Sequence, residues 1–107
     1  MPRTLAAALL ALALALTARA ADWPAFRGPN ADGIVTDRAV PTKWSATENV
    51  VWKSAVPGIG HSSPVIAAGR VFLTSFDPNT NDRLLLCYDR ATGKQVWKRT
   101  VLTAAPE

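Results

Sequence analysis

A single cysteine, Cys87, stands among the 107 residues. One thiol excludes an intramolecular disulfide and any cysteine-cluster metal site. The chain also lacks a long apolar run: the longest, residues 5–16, is short of the ~20 residues that a helix needs to cross a bilayer. No Asn-x-Ser/Thr acceptor occurs anywhere. Charge of one sign is scarce as well, with 12 Lys and Arg against 8 Asp and Glu. No Lys/Arg stripe is available to track phosphates, so nucleic acid is not an expected partner.

What is present begins at the N-terminus. Arg3 precedes the Ala/Leu run, and Ala18 and Ala20 come after it in an A-x-A arrangement. Charge, apolar run and small residues in that order predict a secretory signal over 1–20, cut between Ala20 and Ala21. No cysteine stands just after the cut, so the leader is not a lipoprotein signal and no membrane anchor is expected. Arg3 and Arg19 leave with it, which lowers the net charge from +4 to +2. The expected location is secreted or periplasmic. A fold without disulfides in an oxidising compartment relies on core packing.

Residues 21–48 carry Pro24, Gly28, Pro29, Gly33 and Pro41, a spacing that leaves neither a helical nor a strand period. They read as an irregular arm. Trp23, Phe26 and Trp44 are too apolar for a solvated linker and are expected to pack onto the β-rich remainder of the chain.

After Thr47 the chain turns β-branched and aromatic. Strands are expected over 49–56, 65–67, 71–76, 84–88 and 95–101, with turns at Ala68-Gly69, at 77–82 and at 89–93. Short strands separated by turn signals describe an antiparallel meander. An internal repeat accompanies them: Val51-Trp52-Lys53 recurs as Val96-Trp97-Lys98 and Val56 as Val101, an offset of 45 residues. That offset matches one propeller blade of about 40–50 residues.

The segment from Cys87 to Trp97 is the strongest local motif. Asp89 is placed to accept hydrogen bonds from N–H groups two and three residues on. Gly93 is placed to take the positive φ of a hairpin loop. Trp97 returns at a spacing that lets its ring cover the turn. The motif reads as a structural device, since nothing in it pairs a nucleophile with a base.

Cys87, Asp89, Thr92, Gly93, Lys94 and Trp97 together resemble the tryptophan-docking pattern A-x-D-x-x-T-G-K-x-x-W of pyrroloquinoline-quinone (PQQ) type β-propellers, with Cys87 in place of the usual alanine. Ser62-Ser63-Pro64-Val65-Ile66 and Gly69-Arg70-Val71-Phe72 are similar to that family's first two blade strands. The run from Asp22 to Asn30, D-W-P-A-F-R-G-P-N, is similar to the opening of its secreted bacterial members. The resemblance covers nearly all of residues 22–101. It implies an all-β chain: an irregular arm over 21–48, then, over 49–107, a closing strand and one four-stranded antiparallel blade. It also implies a truncated piece of a larger ring of about four to eight blades. Such a sheet alone is expected to leave much of Val71, Phe72, Leu73, Leu84 and Leu86 uncovered on one side. Marginal stability and edge pairing between molecules result from that exposure.

Other motifs fail. Ser63 replaces the last glycine of a dinucleotide fingerprint begun at Gly58-Ile59-Gly60, and Pro64 stands where its helix would start. Pro64 also breaks a G-x-S-x-G elbow. His61, the only histidine, has no patterned carboxylate or oxyanion hole and reads as a strand-entry residue, although it is the one to inspect at the mouth of a ring's channel. Asp77-Pro78-Asn79-Thr80-Asn81 begins like a calcium loop, but Asp82 and Tyr88 replace its required Gly and Glu.

No catalytic, cofactor or metal residue is therefore expected in this stretch. The expected function is a non-enzymatic scaffold whose partners are the remaining blades and a protein or glycan. The alternative is the N-terminal piece of a PQQ-dependent dehydrogenase, a class in which the resemblance implies PQQ and Ca²⁺ bound in the central channel.

Overall fold

Val, Leu, Ile and aromatic residues between turn formers produce four strands: β1 (Val65–Ala67), β2 (Arg70–Asp77), β3 (Asp82–Asp89) and β4 (Gln95–Thr103). The structure, a computed structural model, describes residues 21–36 and 40–107. The expected leader lies outside the described residues. The chain is all-β, with one open antiparallel sheet in the order β1-β2-β3-β4. The expected meander is present. No described residue is helical, so no helix among them is long and apolar enough to cross a membrane.

The turns are dictated by their residues. Ala68 and Gly69 both have positive φ, 51° and 74°. Two such residues give the two-residue hairpin whose twist matches the flanking strands. At the 78–81 loop, Asp77 Oδ1 accepts the Asn79 N–H at 2.9 Å and Asp77 O accepts the Asn81 N–H at 2.8 Å.

Register sorts the side chains into two faces. Val71, Leu73 and Ser75 lie opposite Tyr88, Leu86 and Leu84. On this face Leu84, Leu86 and Tyr88 are 4%, 0% and 3% exposed and form the core, with Val71 and Leu73 packed against it. Each such burial is worth roughly 1.5–3 kcal/mol relative to exposure.

The expectation that Leu84 and Leu86 stand uncovered is overturned. Residues 50–58 cross this face and cover it, tied down by side chains. The Tyr88 hydroxyl donates to Ala55 O at 3.1 Å, and the Ser75 hydroxyl donates to Pro57 O.

That covering role also corrects the expected strand over 49–56. A strand is a shared ladder, and this segment lies over a sheet face instead of beside an edge. Among the described residues it makes no backbone–backbone hydrogen bond.

On the opposite face Phe72, Cys87 and Trp97 form one row across three strands. The Phe72 and Trp97 rings lie 6.1 Å apart, and Cys87 between them is 1% exposed. Next along, the Arg83 guanidinium stands 5.4 Å from the Phe76 ring centre.

The arm is irregular, as its Pro and Gly content implies, but only one of its three aromatics packs. Trp23 bridges to Ile66 on the outer side of β1. Its ring lies over Gly28, where a Cβ would come within 2.6 Å of it. Phe26 and Trp44 are 74% and 70% exposed, contrary to expectation. Their neighbours 24–36 and 41–48 turn back on themselves through local hydrogen bonds and bring no sheet surface to them.

Candidate docking site at the Asp89 turn

Between β3 and β4 the chain reverses over 89–94, and the reversal is built by Asp89. Its Oδ1 accepts the N–H of Ala91 at 2.9 Å, the N–H of Thr92 at 3.0 Å and the Thr92 hydroxyl at 3.1 Å. These are the donors two and three residues on that an Asx turn requires. Asp89 O accepts from Gly93 N–H and Asp89 N–H donates to Lys94 O, both at 2.8 Å. The second carboxylate oxygen takes the Arg70 guanidinium at 2.9 Å. The Thr92 N–H, first among these causes, holds the Asp89 carboxyl below the usual carboxylate range. Partial desolvation opposes it, and the Thr92 hydroxyl, the Ala91 N–H and Arg70 reinforce it.

Lys94 takes part through its backbone, donating to Thr92 Oγ1 at 3.3 Å, and its side chain is exposed. Gly93 is buried with φ of 72°. A Cβ there would stand 2.5 Å from an indole ring, and the ring belongs to Trp52.

The expected cover of the turn is Trp97. The structure instead places Trp97 half-buried on the sheet face against Phe72. As a strand residue paired with Cys87, Trp97 projects from the sheet and not back over the loop. Trp52, from the first copy of the Val-Trp-Lys repeat, covers the turn. Its Nε1–H donates to Arg90 O at 2.8 Å, and the neighbouring Ser54 hydroxyl donates to Gly93 O. The repeat is the signal that could have identified Trp52, since it marks two equivalent tryptophans of which only one precedes this turn.

Arg90 extends the site towards the arm. Its N–H reaches Gly69 O at 3.1 Å, its Nη1 lies 3.6 Å from Asp22 and its Nη2 donates to Ala21 O at 3.3 Å. The turn thus gathers the 50–56 segment, the β1–β2 hairpin and the start of the arm. The polar groups of Asp89, Thr92, Arg90 and Trp52 are engaged within the protein, so the arrangement is suited to docking one part of a fold on another.

His61 lies elsewhere. It is exposed and lines an open groove of about 760 Å³ with Gly58, Ser62, Thr74, Phe76 and Arg83. The Ser62 hydroxyl is occupied by the Thr74 N–H at 2.9 Å, and no carboxylate lines the groove. The structure therefore does not assemble a triad around His61.

The 77–82 loop does not fit Ca²⁺ either. Asp77 Oδ1 is held by the loop's own Asn79, and Asp82 Oδ1 accepts the Thr103 hydroxyl at 2.5 Å. Among the described residues no three His, Cys, Asp or Glu side chains converge where they could hold a metal.

No family model, curated protein or solved structure matches the chain.

Proposed function

We propose that this chain carries a repeat unit of a PQQ-type β-propeller, exported from the cell, that serves as a non-enzymatic binding or assembly scaffold. The observation that carries this reading is the seat of Trp52. A tryptophan from one copy of the repeat sits on the Asp89–Gly93 turn that leads into the next copy, across 41 residues of sequence. Trp97 is its equivalent in the second copy, and a further turn of the same kind would seat it. Repeat folds are stabilised by such contacts between neighbouring units. The partners are further blades, and a protein or glycan presented to the assembled surface.

A tandem chain in which residues 57–101 are duplicated tests the repeat. Each added unit supplies a turn for the preceding tryptophan, so the denaturation midpoint should rise with copy number. An unchanged or lowered midpoint would remove the propeller reading. Incubation of the protein with PQQ and Ca²⁺, then gel filtration and absorbance, tests the scaffold. Quinone retained with alcohol-dependent dye reduction would overturn the non-enzymatic part.

A further inference from the structure

Residues 50–58 form a strap that side chains, and no ladder, hold on the sheet. The Trp52 indole and the Ser54 hydroxyl donate to Arg90 O and Gly93 O. The Tyr88 and Ser75 hydroxyls donate back to Ala55 O and Pro57 O. Among the described residues no backbone–backbone hydrogen bond ties the strap down. Its place is fixed by the seat of one indole, a carbonyl beside a glycine without Cβ. The same tripeptide stands 45 residues on, in β4. There Trp97 is half-buried, and its indole N–H meets no acceptor among the described residues. Arg99 stands where the first copy has Ser54, so in both copies a hydrogen-bond donor follows the tryptophan by two residues. Residues 21–107 thus hold two such tryptophans and a single Asp-x-x-Thr-Gly turn to receive them.

We propose that the seat on the Asp89–Gly93 turn is an interaction site for a second copy of this chain, entered by that copy's Trp97, and that Trp52 is the internal occupant that keeps it closed. The inference rests on the repeat reading of the proposed function and names one partner for it. The strap reaches the seat within its own molecule, at an effective concentration on the order of millimolar. Trp97 of another molecule therefore loses the competition at micromolar protein, and wins once Trp52 no longer fills the seat. Charge favours the contact, because Arg99 shares the face of Trp97 and the turn it approaches is built on the Asp89 carboxylate. The strap closes the seat from the core face, whereas Trp97 stands on the opposite face with Phe72. Donor and seat on opposite faces of one sheet make a heterologous contact, which joins copies in a row instead of closing on a pair. The contact uses the face of β4 and leaves its bulged edge unpaired.

Sedimentation equilibrium of the full chain tests this, with far-ultraviolet circular dichroism reporting the sheet of each variant. Trp52→Ala vacates the seat, and its weight-average mass rises about twofold or more over the wild type as protein approaches the millimolar range. Trp52→Phe keeps a ring and loses only the donor to Arg90 O, and it associates to a smaller extent. Adding Trp97→Ala to either variant returns the mass to that of the wild type. Two outcomes overturn the proposal: neither variant associates, or the double variants associate as strongly as the single ones, which places the contact on the uncovered core and not on Trp97. If Trp52→Ala loses its sheet, Trp52→Phe decides alone by the same criteria. The tandem chain of residues 57–101 keeps this outcome separate from the repeat reading. A tandem chain that gains stability while neither variant associates overturns the seating between molecules and leaves the repeat standing.

Discussion

Val51-Trp52-Lys53 and Val96-Trp97-Lys98 are the same three residues in opposite circumstances. The second copy lies in β4, paired along β3, with its tryptophan on a sheet face against Phe72. The first copy has no ladder at all, and Val51 is 90% exposed. Yet Trp52 holds the more specific position, with its ring on Gly93 and its N–H on Arg90 O. Pairing and anchoring are separate properties of this repeat. A strand needs a neighbour to share its hydrogen bonds, whereas a docked indole needs one carbonyl and a glycine with no Cβ in the way.

Substitutions rank that difference. Gly93→Val forces a β-branched residue into positive φ and drives its Cβ into Trp52, and is expected to cost about 4 kcal/mol or more. Urea titration checks it, and Gly93→Val in a Trp52→Ala background should cost less than in the wild type. Leu86→Ala, on the face that residues 50–58 cover, is expected to cost about 3 kcal/mol, against about 0.5 or less for Leu102→Ala at its exposed position. Similar losses at both positions would show that the covering segment does not protect the core. Trp52→Phe keeps a ring but leaves Arg90 O without its donor, a loss of about 1–2 kcal/mol, whereas Trp97→Phe is expected to stay within about 0.5. Denaturation midpoints of the two single variants give the comparison directly.

The smallest effect is electrostatic. Because the Asp89 carboxyl is held below its unfolded value of about 3.9, its contribution is fully present above that pH. It is lost as pH falls through the lowered folded value. Wild-type stability should therefore decline below about pH 4 more steeply than that of Asp89→Asn. Parallel acid titrations of the two proteins would sink this expectation.

The sheet is legible in the sequence because its signals are local. Ala68-Gly69 dictates a two-residue hairpin, Asp89 and Gly93 dictate the second reversal, and β-branched runs between them must pair. Cys87 takes the buried position that its small, apolar character suits, between two aromatic rings. The role of residues 49–56 is not legible. Their composition is that of a strand, and only the three-dimensional arrangement shows that they cross a face of the sheet instead of pairing along one of its edges. Nearness in sequence assigns Trp97 to its own turn. In three dimensions a side chain in β4 must leave the sheet perpendicular to it, so a distant indole reaches the loop instead. Phe26 and Trp44 show the limit of composition: apolar residues are buried only where a surface comes to meet them.

One detail of β4 governs how the sheet meets other chains. Pairing with β3 skips Val96 and Val101, so each is an extra residue on the bulged strand. Bulges bend and coil an edge strand, and Lys98 and Arg99 place two positive charges between them. A straight strand arriving from outside finds no flat, continuous row of donors and acceptors to copy. The outermost strand of this small sheet is therefore a poor seed for fibre growth, although no strand among the described residues pairs with it on that side.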